Sequence, residues 1–379
     1  MKPRVCIDIR LTQTGAKNTG IGVYARELVR AMQPLEHGLD LWYLVLSNYP
    51  LPDLGLPLDR LVRIWRPRKP ERWHVFYDML GLSEWLASKN FNLIHALSPG
   101  TIQQVGKMRL VVTVHDLIPL HFPADHVSSP DVRWLYRRQL HGIQRSGYVI
   151  ADSNSTKQDL VKTLKIKSEK IRVIYLATNP SFHSIPIESV KSFRARVGLP
   201  EQYVLYLGGY SARKNVPLLM QAYQRLGKIR RGRKLVLAGS LTRVAKNELV
   251  KLVSQLDLES DILWLGHTRE EDLVALYNGA ELFVYPSLYE GFGLPVLEAM
   301  ACGTPVVASR AGSLAEVAGD AALLIEPDDE AGLAYAMQQV IETPLVKVDL
   351  KQRGLGRAAA FSWERCAHET LAVYHKVLA

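Results

Sequence analysis

Cysteine and long apolar runs are both scarce in this chain. Three cysteines, Cys6, Cys302 and Cys366, are spread over 379 residues without CxxC spacing. This argues against a zinc site or a redox motif and fits a reducing compartment, so we expect all three to be packing residues. Apolar runs such as 110–114 and 282–285 fall well short of the ~20 residues that a membrane-spanning helix needs. They indicate buried strands instead.

Signal-peptide features and low-complexity tracts are missing too. The first segment, MKPRVCIDIR, has no apolar stretch or cleavage site of the secretory type, so we expect a cytoplasmic protein. Acidic residues number 37 against 47 basic ones, which gives a net charge of +10. The excess favours anionic partners, namely phosphorylated ligands, phospholipid headgroups or nucleic acid, without choosing among them.

Short apolar segments alternate with helical patterns along the chain, which predicts parallel sheets wrapped by helices. The alternation restarts after a polar, proline-containing stretch near residue 180, and a chain of this length is long enough for two cores. We therefore predict an α/β protein of two doubly wound Rossmann-like domains, 1–178 and 179–361, facing across a cleft. The segment 363–378 has apolar steps of three and four, which predicts a helix with Ser362 as N-cap and an apolar face that needs a partner.

The segment LYLGGYSARKNVPLLMQAY predicts an anion site. A strand ends at Gly208 and Gly209, and Arg213 and Lys214 come just before a helix that begins near Val216. The glycines let the backbone approach an anion, and the two cations can neutralise a diphosphate. An Arg-Lys pair is more often a solvated surface, but its position after a strand favours the phosphate site.

A second strand, loop and helix unit is ELFVYPSLYEGFGLPVLEAMACGTPVVAS. Pro295 lies just inside the predicted helix and Gly303 closes it. The loop amides of Phe292, Gly293 and Leu294 lie at the positive end of that helix, where a phosphate or an oxyanion is stabilised. We expect a bulky residue at Gly293 to block such an approach.

Two glutamates belong to this unit. Glu290 lies in the turn, beside Gly291, and Glu298 lies about one turn into the helix, so they can reach opposite ends of an elongated ligand. For any single glutamate a solvent-facing charge is the ordinary interpretation. Upstream, Thr268 and Glu271 have the spacing of a capping box, and the backbone at Thr268 could contact a nucleobase.

Together these segments resemble the retaining glycosyltransferases of family four, which have the B-type fold of two Rossmann-like domains and include bacterial polysaccharide and lipopolysaccharide glucosyl- and mannosyltransferases. Its most specific motif, a glutamate, seven residues and a glutamate, runs unbroken here within 290–307, and the resemblance covers nearly the whole chain. It implies transfer of a hexose from a nucleoside-diphosphate sugar, UDP-glucose-like first and GDP-mannose-like next, to a glycan or lipid-linked acceptor. The first domain would bind the acceptor and the second the donor.

The resemblance also implies residue roles in the second domain. Glu290 would contact the transferred sugar, and Glu298 would bind the donor ribose hydroxyls. Arg213 and Lys214 would hold the diphosphate. The closing helix from Trp363 resembles the family's C-terminal segment, which crosses back onto the first domain.

In the first half, NTGIGVYARELV looks like the family's glycine-rich loop. Gly20 and Gly22 would let the backbone approach the donor phosphates before a helix from Val23, although many relatives have two adjacent glycines here. VVTVHDLIPL places His115 where the family has a histidine that hydrogen-bonds the donor sugar, with Asp116 beside it. A lone histidine at a strand end is more often structural, but this pair at the end of a parallel strand favours the site.

The expected mechanism is attack by the acceptor hydroxyl on the same face from which the diphosphate leaves, with charge stabilisation and positioning as the main contributions. A double displacement needs a carboxylate nucleophile, for which Glu290 is the only obvious candidate. The sequence has no Asp-x-Asp pair, and His115 with Asp116 offers too few oxygen ligands for a divalent ion. We therefore predict metal-independent transfer without a cofactor.

Basic clusters in the first half suggest a further partner. The segment SSPDVRWLYRRQLHGIQRSG predicts a basic amphipathic helix that could dock on an anionic membrane, or equally a half-buried helix with a charged outer face. A second basic run comprises Arg63, Arg66, Arg68, Lys69 and Arg72. Alternative functions are a nucleotide-sugar epimerase, a phosphorylase, or a non-catalytic membrane binder; nucleic acid is disfavoured because no reading module or stacking platform is evident.

Overall fold

The chain divides into two compact units. The computed structural model describes residues 1–66, 78, 81–100, 102, 104, 106–127, 129–241 and 243–379. One unit comprises Met1–Leu176 with Ser362–Ala379, and the other comprises Ala177–Phe361. Each unit contains one sheet in which every paired strand is parallel. This is the two-domain α/β fold that the sequence predicts.

In its described residues the first unit has a seven-stranded sheet of order β3-β2-β1-β4-β5-β6-β7. The strands are β1 (Arg4–Asp8), β2 (Asp40–Leu46), β3 (Leu61–Ile64), β4 (Leu93–Ala96), β5 (Arg109–Val114), β6 (Tyr148–Ala151) and β7 (Ile171–Val173). The helices are α1 (Gly20–Met32), α2 (Leu82–Ser88), α3 (Ile118–His121), α4 (Pro123–His126), α5 (Pro130–Arg145), α6 (Asn154–Leu164) and, from the end of the chain, α15 (Trp363–Leu378).

In its described residues the second unit has a six-stranded sheet of order β10-β9-β8-β11-β12-β13. The strands are β8 (Tyr203–Leu207), β9 (Lys234–Ala238), β10 (Ile262–Gly266), β11 (Leu282–Tyr285), β12 (Val306–Ser309) and β13 (Leu323–Ile325). The helices are α7 (Ile187–Val197), α8 (Val216–Arg225), α9 (Arg243–Gln255), α10 (Glu270–Gly279), α11 (Leu294–Ala301), α12 (Leu314–Ala318), α13 (Glu330–Glu342) and α14 (Pro344–Ala359).

The central strands are apolar because side chains on both of their faces are buried. All residues of β4, β6, β11 and β12 are buried, and such strands are continuous apolar runs rather than alternating ones. The apolar runs in the sequence therefore located these four strands. Sequence analysis did not identify β3, a four-residue edge strand whose exposed Arg63 interrupts the apolar run.

The closing helix α15 packs on the first unit, against α1. Ser362 caps it as predicted, since its side chain accepts a hydrogen bond from the Arg365 amide at 3.1 Å. Trp363 and Tyr374 are among the buried residues of its apolar face.

The three cysteines are buried and free, as expected of packing residues. No helix in the described part of the chain combines the length and the apolarity that crossing a bilayer requires.

We expect Ser362→Ala to lower the free energy of unfolding by about 1 kcal/mol, the usual contribution of an N-cap side chain. Urea unfolding followed by tryptophan fluorescence measures it, because Trp363 adjoins the cap. Ser129→Ala is the matched control, since Ser129 precedes α5 without making a side-chain cap bond. Equal losses in both variants would contradict the capping role.

Candidate active site

The second unit gathers three predicted site residues at one point of its sheet. Its strand order reverses between the neighbouring strands β8 and β11. Open parallel sheets bind ligands outside the carboxyl ends of their strands at such a switch point. Arg213 and Lys214 follow β8, and Glu290 follows β11. The fold therefore brings together residues that lie more than seventy positions apart, as the separation of 76 between Lys214 and Glu290 shows.

Glu290 forms a buried ion triad with Arg213 and Lys214. Its Oε1 lies 2.7 Å from Nη1 of Arg213 and 2.7 Å from Nζ of Lys214, and each side chain is only 10–12% exposed. Burial raises the pKa of Glu290, but the charges of Lys214 and Arg213 outweigh it and hold the pKa below its ordinary value. The carboxyl group is ionised, so two cations and one anion leave the triad with one net positive charge.

Main-chain contacts from neighbouring loops fix the triad. Nη1 of Arg213 donates to the Tyr289 carbonyl at 2.5 Å. The Glu290 carbonyl accepts from the amide of Ser313 at 3.2 Å and from its hydroxyl at 3.1 Å. Gly312 has φ +58°, and a Cβ there would lie 2.4 Å from the Glu290 carbonyl oxygen. Sequence analysis missed Gly312 and Ser313, whose only signal was a Gly-Ser pair in the loop after β12.

The loop before α11 has the predicted strand, turn and helix form, with Pro295 in the first turn and Gly303 left-handed just beyond its end. Gly293 is the N-cap residue with φ +99°, and a Cβ there would lie 2.5 Å from Cδ2 of Leu314. A bulky residue at Gly293 would therefore strain the backbone and collide with the core, and that it also blocks a ligand stays a prediction. Phe292 is buried and packs edge-on against Phe361, so its side chain serves the core.

Glu298 has a different environment from Glu290, although both belong to the same motif. It lies in α11 and is partly buried, and its Oε2 accepts a hydrogen bond from the Tyr277 hydroxyl at 2.9 Å. Burial raises its pKa to about 7, the Tyr277 hydrogen bond lowers it somewhat, and Glu270 raises it. Glu298 is thus protonated in part near neutral pH, whereas Glu290 is ionised.

The remaining predicted positions of this unit have mixed outcomes. Within the described part of the chain, a Cβ at Gly209 would meet nothing within 4 Å, whereas one at Gly208 would lie 2.9 Å from the Tyr206 hydroxyl. Open space for a ligand is therefore found at Gly209. The predicted cap at Thr268 is wrong, because α10 begins at Glu270 with Arg269 as N-cap and no side-chain cap bond. The chain enters the helix one residue later than the capping box requires, and the buried Thr268 hydroxyl has no hydrogen-bond partner among the residues that the structure describes.

His115 lies in a buried polar cluster of the first unit. Its Nδ1 is 2.5 Å from Oδ2 of Asp152, and its Nε2 is 2.8 Å from the Leu97 carbonyl oxygen. Burial lowers the pKa of His115, but Asp152 outweighs that effect and the net shift is upward. A sugar hydroxyl could bind Nε2 only in place of Leu97, so the donor-sugar role stays a prediction. Asp116 accepts from the Ile118 amide at 2.9 Å and so fixes the turn into α3.

Gly22 of the first loop has a packing role in the structure. Helix α1 begins at Gly20 rather than at the predicted Val23, so Gly22 already lies in its first turn. A Cβ at Gly22 would lie 2.3 Å from the Ala16 carbonyl oxygen and 2.6 Å from that of Lys17. Close packing of the preceding turn therefore explains this glycine. The predicted contacts of Gly20 and Gly22 with donor phosphates stay predictions.

Comparison with protein families finds a match on each side of the unit boundary. Residues 18–182 match the model described as Glycosyltransferase Family 4. Residues 190–357 match the model described as Glycosyl transferases group 1. The two matches together span most of both units.

Individual relatives agree with these families. O-antigen chain mannosyltransferase B of Escherichia coli is 32% identical over 286 residues, which are 75% of this chain and 72% of that protein. The serotype-specific mannosyltransferase WbdA of Escherichia coli is 31% identical over 274 residues, 71% of this chain and 34% of WbdA, so the match spans about a third of that relative's length. HepE from Anabaena, solved in complex with UDP-glucose, has a TM-score of 0.76 at 18% identity and covers 98% of this chain and 99% of its own.

We expect the Glu298 carboxyl to make folding less favourable as pH rises from about 4.5 to about 7. Its pKa is raised from 4.5 to about 7 in the folded protein, so over this range the folded state holds a proton that the unfolded chain has lost. The stability that this proton confers is fully present below pH 4.5 and lost as pH rises through about 7. Urea unfolding at pH 5 and pH 8 measures the effect: Glu298→Gln should lose less stability between the two pH values than the parent.

Tyr277→Phe is the companion variant. Removal of its hydrogen bond should raise the Glu298 pKa further, because that bond favours the charged carboxylate. The loss of stability that accompanies ionisation of Glu298 would therefore occur at higher pH in Tyr277→Phe than in the parent. An identical pH dependence in the parent and in Glu298→Gln would show that Glu298 has an ordinary pKa.

Proposed function

The chain belongs to family four of the glycosyltransferases, and from that membership we propose that it transfers a hexose from a nucleoside-diphosphate sugar to a glycan or lipid-linked acceptor in polysaccharide biosynthesis. The observation that carries this proposal is the buried triad of Arg213, Lys214 and Glu290 at the switch point of the second sheet. Its excess positive charge suits a diphosphate. The second unit would accordingly hold the donor, and the first unit the acceptor.

Arg213 and Lys214 would stabilise the leaving diphosphate. As the bond from the anomeric carbon to the phosphate oxygen breaks, negative charge grows on that oxygen, and fixed cations in a dry site stabilise it without reorganisation. The acceptor hydroxyl would attack from the same face and give its proton to the departing diphosphate. Glu290 would hold the transferred sugar, because its carboxylate already accepts from both cations and is poorly placed to act as a nucleophile.

Glu298 would bind the ribose of the donor. An ionised carboxylate accepts hydrogen bonds from both hydroxyls of a vicinal diol. A protonated carboxyl group carries an O–H donor, which needs an acceptor and so competes with this arrangement. With a pKa of about 7, the side chain would lose its proton as the ribose binds. The main-chain amides of Gly291 to Leu294 would face the diphosphate at the start of α11.

We propose mannose as the transferred sugar, with glucose as the competing possibility. The sequence relatives at 31–32% identity are named as mannosyltransferases. The complex with UDP-glucose belongs to a structure only 18% identical, and likeness at that level concerns the fold. This reverses the order of GDP-mannose and UDP-glucose that sequence analysis favoured.

Transfer would proceed without a metal ion. Divalent ions in phosphoryl-group sites neutralise the charge on the phosphate oxygens, and here two side-chain cations lie together at the proposed diphosphate position. They would supply the same neutralisation.

An anionic membrane is the proposed partner surface of the first unit. In α5, Trp134 is 50% exposed and Val132 38% exposed, while Gly142 and Ile143 are its only fully buried residues within the described chain. A helix that merely covered the core would bury more of its apolar side chains. Arg133, Arg137 and Arg138 are exposed beside them, which suits the inner leaflet and a lipid-linked acceptor. From the second basic run, Arg68, Lys69 and Arg72 lie outside the described residues.

We expect Arg213→Ala and Lys214→Ala each to slow release of the nucleoside diphosphate by roughly ten- to a hundredfold, the effect of one lost charge-assisted hydrogen bond. The rate of GDP release from GDP-mannose, and of UDP release from UDP-glucose, measures this in EDTA. GDP-mannose should be the better donor, and EDTA should leave the parent rate unchanged.

Arg225→Ala is the matched control, because Arg225 forms an exposed ion pair with Glu330 in the same unit. The thermal unfolding midpoint of each variant is compared with that of the parent, so that a lower rate caused by the lost charge can be told from one caused by unfolding. Full activity of Arg213→Ala or Lys214→Ala would refute the diphosphate assignment, and abolition of the parent rate by EDTA would refute metal independence.

We expect the chain to sediment with liposomes containing anionic lipid. Each basic residue close to such a surface contributes about 1 kcal/mol, so replacing Arg133, Arg137 and Arg138 by glutamine should reduce binding by roughly two powers of ten. The matched control replaces three exposed lysines of the second unit, Lys228, Lys246 and Lys251. Equal losses in both triple variants, or no sedimentation of the parent, would favour a helix that simply presents its charges to water.

A further inference from the structure

Tyr285, the last residue of β11, contacts two members of the ion triad. Its hydroxyl accepts a hydrogen bond from Nζ of Lys214. The same hydroxyl is hydrogen-bonded to the carboxylate of Glu290. Lys214 also donates directly to Oε1 of Glu290 at 2.7 Å. The ammonium group, the phenol and the carboxylate therefore form a closed group of three side chains within the second unit.

The protonation of the Tyr285 hydroxyl fixes the direction of these hydrogen bonds. Burial raises the pKa of Tyr285 well above its ordinary value, and the charge of Glu290 raises it further. The phenol therefore keeps its proton. Only Glu290 can accept that proton in a hydrogen bond, because an ammonium group has three donors and no acceptor. Tyr285 thus accepts from the cation and donates to the anion.

The ring of Tyr285 is held in place by two aromatic neighbours. It is stacked with Tyr206 of β8 at 6.4 Å between ring centroids, and with Phe283 of β11 at 5.7 Å. Both neighbours are fully buried, and Tyr285 itself is only 1% exposed. A ring packed in this way changes its rotamer only if the core opens. The Tyr285 hydroxyl is therefore a fixed point at the carboxyl end of the sheet.

The two cations of the triad differ in their need for such a fixed point. The guanidinium of Arg213 is planar, and its Nη1 is held by the Tyr289 carbonyl as well as by Glu290. The ammonium group of Lys214 ends a flexible four-carbon chain and has no fixed fork of donors. Ordering such a side chain has a high entropic cost. Because Tyr285 orders Lys214 in advance, that cost need not arise during the reaction.

We propose that Tyr285 is a positioning residue for the transfer reaction, and that it holds Lys214 where negative charge develops on the leaving diphosphate. The inference rests on the glycosyl transfer proposed above and adds a residue to its site. Tyr285 is too deeply buried to contact a substrate, so it acts through Lys214 and Glu290. Cations that are already oriented stabilise a developing charge without reorganisation.

Tyr285→Phe tests this role, because it removes the hydroxyl and keeps the ring in its stack. The assay is release of the nucleoside diphosphate from whichever of GDP-mannose and UDP-glucose is the better donor. We expect kcat to fall by about tenfold, the scale of one lost hydrogen bond to a charged group. The donor KM and the Kd of the matching diphosphate should stay within about threefold of the parent, since both cations remain. A parent-like kcat, or a raised KM at unchanged kcat, would overturn the proposal.

Tyr203→Phe is the matched control. Tyr203 is a buried tyrosine at the start of the neighbouring strand β8, and its hydroxyl donates to the Leu276 carbonyl at 2.7 Å. Loss of that bond should lower the thermal unfolding midpoint but leave kcat within about twofold of the parent. Equal falls of kcat in Tyr203→Phe and Tyr285→Phe would show that the Tyr285 hydroxyl only stabilises the fold.

Double variants identify the cation through which Tyr285 acts. Adding Tyr285→Phe to Lys214→Ala should reduce kcat by less than about threefold, because the side chain that Tyr285 orients is already gone. Adding it to Arg213→Ala should reduce kcat by nearly the full tenfold, since the Tyr289 carbonyl orients Arg213. Equal factors in the parent and in Lys214→Ala would show that the hydroxyl acts independently of Lys214, and would overturn the proposal.

The parent protein separates this inference from the proposed function. If the parent released no diphosphate from either donor and bound neither GDP nor UDP, the proposed transferase function would fail. If the parent did both, and Tyr285→Phe behaved as Tyr203→Phe does, only the role of Tyr285 would fail.

Discussion

The ion triad of Glu290 with Arg213 and Lys214 is the interaction on which the proposed chemistry of the second unit depends. Removing three charges from water carries a large desolvation cost, which is offset only where geometry and hydrogen bonding are good. The loops around the triad supply that geometry, because Gly312 has no side chain against the Glu290 carbonyl and Ser313 donates to it twice. One anion for two cations leaves an excess of positive charge that a second anionic group can satisfy.

Both units hold a buried ion-paired group near the point where the strand order of the sheet reverses. In the second unit the triad joins residues that follow β8 and β11, the two strands at the reversal. In the first unit Arg10, which follows β1, pairs with Asp8 at the end of that strand and with Asp78. Two cations share one carboxylate in the triad, whereas Arg10 lies between two carboxylates, so the local field at these described cations differs between the two units.

Sequence analysis identified the structural features that short, local sequence patterns determine. Continuous apolar runs marked the buried strands, and the spacing within 290–307 marked the loop that we propose to bind the donor, because both signals lie within one short segment. It did less well where the path of the backbone or a contact between distant segments decides the structure. Thr268 has the spacing of a cap, yet the chain turns one residue later. Arg10 and Asp78 meet across 68 positions, and no sequence pattern connected them. Gly22 also packs against the backbone of Ala16 and Lys17, a contact that the glycine spacing alone did not indicate, and its predicted contact with a ligand stays a prediction.

The two glutamates of the motif show how far environment outweighs residue type. Both are largely withdrawn from water, which by itself raises a carboxyl pKa. Glu290 has two cations within 2.7 Å, and its pKa falls below the ordinary value; Glu298 has one neutral hydroxyl from Tyr277, and its pKa rises to about 7. A residue whose charge is fixed can hold a sugar in the same way at every physiological pH. A residue that titrates near pH 7 couples ligand binding to proton release, so donor affinity would strengthen with pH while the charge at the reacting centre stayed constant.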